Sequence, residues 1–306
     1  VDGTFGFFDN LTINTYWAQT RSEGLTSDDR SYRAQMDYAG DKYGVQLERM
    51  AVGANFNPEV GFVRHPDMVR NYANFRFSPR PKRSKWARRV GSAAWVDYIE
   101  NGKGRRDWQS LAAELSLDFH NGDRFNVRAS DNYEYLPAPL RLAAGVTAPT
   151  GGYDTNVVQT GYNFGAQRKL LSGNVSLERG SFYGGNKTTF TVTQGRLSFP
   201  PTFSVEPTYS MNKVDIPQGA FTTHLVGTRL NVMLTPLMFG AALVQYNSTS
   251  HTVSANVRFR WEYQPGSELF VVLNETHDTL GSSNGAVVPG LINRAFIVKV
   301  NKLIRF

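Results

Sequence analysis

A two-residue rhythm of apolar and polar side chains runs through almost the whole chain, and it restricts the fold more than any other property. Val253, Ala255, Val257, Phe259, Trp261 and Tyr263 fall on one face of an extended segment, and Ser254, Asn256, Arg258, Arg260 and Glu262 fall on the other. Ala113, Leu115, Leu117 and Phe119 repeat it against Glu114, Ser116, Asp118 and His120. So do Phe125, Val127 and Ala129 against Asn126, Arg128 and Ser130, and Tyr32, Ala34, Met36 and Tyr38 against Arg33, Gln35 and Asp37. Period two is the period of a strand, since successive side chains leave a pleated backbone on opposite faces.

Sixteen strands are expected from this rhythm, at 10-22, 29-39, 43-53, 71-79, 85-99, 107-120, 124-136, 153-165, 168-183, 187-199, 202-213, 219-235, 238-248, 252-264, 267-277 and 293-306. In 85-99 and 187-199 the alternation changes phase, which predicts a bulge in each. Most runs hold about ten residues, the length of a tilted strand crossing a bilayer. A soluble sandwich also alternates. Its exposed faces do not usually carry Arg, Glu and Asn with Gly and Ser through some 300 residues of uniform composition. The expected fold class is therefore all-β, a transmembrane antiparallel up-and-down β-barrel occupying residues 1-306 as one domain.

The connections supply an independent criterion. Gly40 to Lys42, Asn121 to Asp123, Pro200 with Pro201, Pro236 with Leu237, and Pro265 with Gly266 are short, while Ala54 to Arg70, Pro137 to Gly152 and His277 to Ile292 are long. The two kinds alternate as periplasmic turns and outer loops do in bacterial barrels, which puts both chain ends on the periplasmic side. Bulky rings flank the short turns: Tyr38 and Tyr43, Phe77 and Trp86, Phe119 and Phe125, Phe199 and Phe203, Trp261 and Tyr263. Together with Phe306, Tyr38, Tyr43, Phe119, Phe125, Trp261 and Tyr263 are the candidate membrane-interface aromatics.

Composition narrows the chemistry. Without cysteine there is no disulfide, thiolate zinc site, Fe–S cluster or cysteine nucleophile. The longest apolar run, Leu230 to Val244, is too short for a transmembrane helix and contains Asn231 and Pro236. A formal charge of +7 is compatible with nucleic acid, an anionic membrane surface or an anion-selective cavity. Because the cations sit at strand spacing, no nucleic acid is expected. The one dense group, Arg80 to Arg89, reads as a solvated turn facing lipid headgroups or acidic partners. No two of the histidines at 65, 120, 224, 251 and 277 have metal-ligand spacing, and there is no nucleophile elbow, Walker loop or dinucleotide fingerprint. No metal, cofactor or catalytic residue is assigned.

The last strand alternates Phe296, Val298, Val300, Lys302, Ile304 and Phe306 with Ile297, Lys299, Asn301, Leu303 and Arg305. Apart from Lys302 it resembles the C-terminal signature, ending in Phe, by which bacterial outer-membrane barrels are recognised for assembly. Two segments resemble a narrower group: Asn55-Phe-Asn-Pro-Glu-Val-Gly-Phe-Val-Arg-His-Pro-Asp67 and Asn256-Val-Arg-Phe-Arg-Trp-Glu-Tyr-Gln-Pro-Gly-Ser-Glu-Leu-Phe270. They are similar to the C-terminal barrel of an uncharacterised bacterial outer-membrane family whose members carry an N-terminal domain like carbohydrate-binding-module family 9. That resemblance implies further strands upstream of Val1, a periplasmic domain or partner proteins, and an outer-membrane location among lipid and lipopolysaccharide.

On the polar face, Arg229, Arg258, Arg260, Lys299 and Arg305 form an expected basic wall, and Glu114, Asp118, Glu134, Glu178 and Glu206 an expected acidic one. Either the segregation sets a field across a water-filled lumen, or the charges pair locally and fill the wall. The segment Ala54 to Arg70 is apolar enough to fold inward and narrow the lumen, presenting Asn57, Glu59, Phe62, Arg64 and Asp67. Passage of a solute or polymer is the first function this implies. A structural anchor for a periplasmic domain or partner complex is the second, and an outer-membrane hydrolase the third.

Overall fold

The computed structural model describes the chain except residues 23, 25, 26, 60, 64, 65, 169, 281, 284, 285, 288, 289, 305 and 306 and the side chains at 282, 283, 286 and 287. The first strands are β1 (Asp2–Phe7), β2 (Leu11–Gln19), β3 (Arg30–Ala39), β4 (Tyr43–Val52), β5 (Met68–Phe77), β6 (Ala87–Asn101), β7 (Arg106–Phe119) and β8 (Arg124–Leu136). A hairpin of β9 (Leu140–Ala143) and β10 (Val146–Ala148) follows. The sheet resumes with β11 (Gly151–Phe164), β12 (Leu171–Phe182), β13 (Gly185–Phe199), β14 (Phe203–Ile216), β15 (Gly219–Thr235), β16 (Met238–Asn247), β17 (Thr252–Gln264) and β18 (Ser267–Asp278). The two-residue pair β19 (Ser282–Ser283) and β20 (Ala286–Val287) precedes β21 (Gly290–Asn301).

Seventeen of these strands form one sheet in which each pairs antiparallel with the next along the chain, β8 joining β11 and β18 joining β21. This is an up-and-down meander. Among the described residues no pairing joins β1 to β21, and because seventeen strands alternate in direction, these two edges run the same way. A direct junction between them would be parallel.

Sixteen strands were expected, and the additional one is β1. Its six residues include two glycines, Gly3 and Gly6, so it is too short to show the rhythm. Its presence corrects the expected position of the N-terminus: Val1 lies at the end carrying the long connections, opposite the end to which β21 runs. The two phase changes do become register shifts, between Ala87 and Arg89 and between Val192 and Leu197.

Turn chemistry sets the hairpins. Tyr183 and Gly184 both have positive φ, 43° and 80°, the type I′ geometry whose twist matches that of the flanking strands. At the β7–β8 turn, Gly122 has φ +81°, and an added Cβ would collide with Gln167 of the next short turn.

The sheet does not close around an apolar core. Its accessible surface is 19804 Å², whereas a compact monomer of this mass exposes roughly 13,000 Å². Both faces are open over most of their area. The registers show what each carries. Residues directly opposite in a ladder share a face, so parity can be followed strand by strand through Asn14, Gln35, Glu48, Tyr72 and Asp97. From there it runs through Glu114, Arg128, Gln159, Glu178, Thr189 and Asn212. Further on it includes Arg229, Arg258 and Lys299. The opposite parity holds Trp17, Met36, Leu47, Phe75, Leu115, Val127, Leu177, Leu230, Val257 and Val298. One polar and one apolar face therefore run the full width.

Candidate functional site

The polar face carries the charged chemistry, and it divides into two parts. In the first, carboxylates and guanidinia interlock across neighbouring strands. Glu48 on β4 receives Arg33 of β3 at 2.8 Å and Arg70 of β5 at 2.9 Å. Arg70 grips Asp97 of β6 with both arms of its fork, at 2.8 and 2.6 Å. A second ladder follows. Asp118 accepts Arg89 at 2.6 Å, and Glu114 accepts Arg124 at 3.1 Å and Arg128 at 2.9 Å. Arg128 also lies 5.0 Å over the ring of Trp95. The Glu48 side chain is buried, so each carboxylate in this network needs its arginines.

Four of the five residues of the expected acidic wall therefore have a cation within 4 Å, and Glu134 has a hydroxyl partner instead. Beyond Glu114 and Asp118, Glu134 accepts the Tyr183 hydroxyl at 2.9 Å, Glu178 lies 3.3 Å from Lys187, and Glu206 accepts Asn231 at 3.2 Å with Arg196 at 3.9 Å. The basic wall differs. Arg260 holds Glu268, but among the described residues Arg229, Arg258 and Lys299 have no carboxylate within ion-pair distance. Arg305 lies outside the described residues. Glu262, on the same face, accepts the backbone N–H of Gly266 at 3.0 Å.

A second correction concerns the inward segment. Phe62 is 89% exposed, so it packs against no wall of the sheet. The connection leans sideways on its neighbours: Asn55 donates to Ser27 O at 2.8 Å, the Asn57 N–H donates to Thr20 Oγ1 at 3.0 Å, and the Asn57 side chain caps Glu59 N at 3.1 Å. Asp67 accepts Gly102 N at 3.1 Å from the next rim connection. Arg64 lies outside the described residues. These polar anchors offset the burial that its apolar residues would gain inside.

The segment that does cover the polar face is the β9–β10 hairpin. Val146 and Ala148 are buried with Leu136, Val214 and Ile216, and Tyr153 and Phe221 pack against this cluster. By register, Leu136, Tyr153, Val214, Ile216 and Phe221 all belong to the polar face at the long-connection end. The hairpin thus bridges the sheet from β8 to β15. Tyr183 adds its ring edge-on to Tyr153 at 5.0 Å; burial and the Glu134 carboxylate raise its pKa well above the ordinary tyrosine value.

The apolar face carries two belts of rings. At the short-turn end stand Tyr38, Tyr43, Phe77, Trp86, Phe119, Phe125, Tyr162, Phe164, Phe199, Phe203 and Trp261. Tyr43 stacks on Phe77 at 5.2 Å, and Trp86, Phe119, Tyr162 and Phe164 succeed one another at 6.3, 6.3 and 4.9 Å. Tyr263 meets Trp261 at 6.0 Å and donates to Asn301 O at 3.0 Å. Phe306 lies outside the described residues. The second belt, at the long-connection end, comprises Trp17, Tyr32, Tyr98, Tyr133, Tyr135 and Tyr246. It was not expected from sequence, because only the short turns drew attention to flanking rings.

Beneath the first belt, Asp123 locks two turns together. It is fully buried and accepts Arg168 in a two-armed pair, the Tyr162 hydroxyl at 2.7 Å, Gly165 N at 2.9 Å and Asn121 at 3.0 Å. The Arg168 hydrogen bond, against the opposing effect of burial, holds its carboxyl well below the usual carboxylate range.

Among the described histidines, His120 faces Ser84 O at 3.2 Å, His224 meets the Tyr209 hydroxyl at 3.0 Å, and His277 lies 3.2 Å from Glu275. None of these contacts sets a ring nitrogen against a serine hydroxyl. Among the described residues no three His, Asp or Glu side chains converge as a metal site. Comparison of the chain with protein-family models, with curated proteins and with solved structures returns no match.

Proposed function

We propose that this sheet is the wall of a bacterial outer-membrane barrel that passes a solute along its polar face, with Arg229, Arg258 and Lys299 favouring anionic or dipolar cargo. The observation that carries the reading is the apolar face bounded by two aromatic belts, interrupted near the long-connection belt by the Arg49–Asn71 and Arg294–Glu275 contacts. At about 3.3 Å per residue, Phe125 to Tyr135 spans roughly 33 Å of strand, or about 25 Å of height at a 40° tilt. That is the height of a bilayer-facing band on such a wall. Every backbone group of a strand in lipid must be paired, and apart from local register shifts every strand of the meander has a partner on both sides except β1 and β21. The complete wall therefore needs those two edges covered, either by each other in a parallel junction or by further strands.

Planar-bilayer recording tests the reading. Purified, refolded protein is expected to give steps of ion current with a reversal potential displaced toward anion selectivity. A protein that inserts stably and carries no current would remove the transport function. It would leave the second reading, an anchor for a periplasmic carbohydrate-binding domain or partner complex, which is favoured by the paired first ladders and the hairpin covering the polar face. Outer-membrane hydrolysis is the third reading. The partners implied by the first reading are outer-membrane lipid and lipopolysaccharide.

A further inference from the structure

The connection between β5 and β6 contains Arg80, Lys82, Arg83 and Lys85, and Arg88 and Arg89 follow at the start of β6, six cations within ten residues and no acid. Arg80 pairs with Asp41 and Arg89 with Asp118. Lys82, Arg83, Lys85 and Arg88 are exposed and, among the described residues, have no carboxylate within ion-pair distance. In the middle of these cations Trp86 is 59% exposed. A tryptophan left in water amid charge needs another environment for its ring.

The surroundings supply that environment. Trp86 leads into the belt through Phe119, Tyr162 and Phe164, where the apolar face ends. Lys42 stands 5.2 and 5.3 Å above the Tyr43 and Phe77 rings, and Arg168 stands 5.5 Å above Phe164. The order along the normal is apolar face, rings, then cations. An anionic bilayer surface has the same order: acyl chains, interface, then phosphates. An acidic protein would match the cations but would not require them to continue an apolar face through a belt of rings.

We propose that residues 80-89 bind the headgroups of anionic phospholipid, with Trp86 at the interface and Lys82, Arg83, Lys85 and Arg88 on the phosphates. This rests on the membrane reading above and adds a lipid class and a leaflet, the one at the short-turn end.

The test compares the full chain with the variant Lys82→Glu, Arg83→Glu, Lys85→Glu, Arg88→Glu, each refolded in neutral detergent with added phosphatidylglycerol or phosphatidylcholine. Native mass spectrometry counts the lipid retained. Each cation near an anionic surface contributes roughly fivefold, so the wild type should prefer phosphatidylglycerol and the variant should lose at least about tenfold of that preference. Trp86→Ala should weaken retention of both lipids. Equal retention of the two lipids by the wild type, or a preference the variant keeps, overturns the proposal. So does binding of polyglutamate in place of phosphatidylglycerol, which would make the partner an acidic protein. Heat-modifiable migration in detergent reports folding separately. A chain that stays folded and monomeric with no detergent at all defeats the membrane reading itself, whereas folded protein without lipid preference defeats only this inference.

Discussion

The two parts of the polar face carry the same residue types and use them differently. From β3 to β8, Arg33, Glu48, Arg70, Asp97, Arg89, Asp118, Arg124, Glu114 and Arg128 are tied into ladders crossing three or four strands each. From β15 to β21, Arg229, Arg258 and Lys299 stand without carboxylates among the described residues, and on this face Arg260 is paired with Glu268. A side chain held by two counter-charges stiffens the wall but offers little to a solute. A cation facing only water keeps its field. On the transport reading proposed above, the division of labour is between strands that hold the sheet in shape and strands that would meet the cargo.

The comparison is broken most directly at Glu48. Glu48→Ala leaves Arg33 and Arg70 facing each other, and because both arginines reach solvent the cost is placed at about 3 kcal/mol, the lower end for a buried pair. Arg258→Gln at the other end should shift the urea midpoint by less than about 0.5 kcal/mol equivalent. Equal losses from the two substitutions would mean that the ladders are not structural in the sense argued here.

The hairpin gives the next largest effect. Ile216→Ala removes buried contacts with β10 and should cost about 2 to 4 kcal/mol, read as a lowered urea midpoint. Removing residues 140-148 should raise single-channel conductance, since the polar face from β8 to β15 is then uncovered. Unchanged conductance would show that the hairpin lies clear of the solute path.

Asp123 sharpens the comparison on the side of the paired strands. Its carboxyl is held low in the folded chain by Arg168. An unfolded aspartate titrates near 3.9, so this contribution is complete above about pH 4 and is lost as pH falls below that value toward the depressed folded one. Asp123→Asn should lower the melting temperature by a few degrees at pH 7 and by progressively less in acid. A difference that stays constant from pH 7 to pH 3 contradicts the latch.

How much of this was legible in the sequence follows from what each feature depends on. Alternation at Val253 to Tyr263 requires only neighbours along the chain, so the strands and both faces could be read directly. Pairing requires register. Nothing local says that Arg70 lies between Glu48 and Asp97, although their shared parity was available once the strands were placed. Strand β1 was missed because it is six residues long and a glycine interrupts each of its faces, Gly3 the apolar one and Gly6 the polar one. The hairpin was missed for a subtler reason: Leu140, Leu142, Val146 and Ala148 alternate too, but across Gly145, in a segment set aside as an outer loop. The inward role went instead to the segment containing Phe62, whose polar anchors are rim contacts that local sequence does not reveal.

The smallest effect is also the one that separates the two regions by function. Arg258→Glu and Lys299→Glu reverse charge on a face where, among the described residues, nothing compensates them, so stability should hardly move. The reversal potential should fall several-fold in anion preference, because a cation near a constriction acts on every passing ion. Arg124→Gln, in the second ladder, is the control. It releases part of Glu114, so any change there should run in the same direction but be accompanied by a lower urea midpoint. If Arg258→Glu destabilises the protein as Arg124→Gln does while selectivity stays fixed, the unpaired cations are part of the wall and the solute path lies elsewhere.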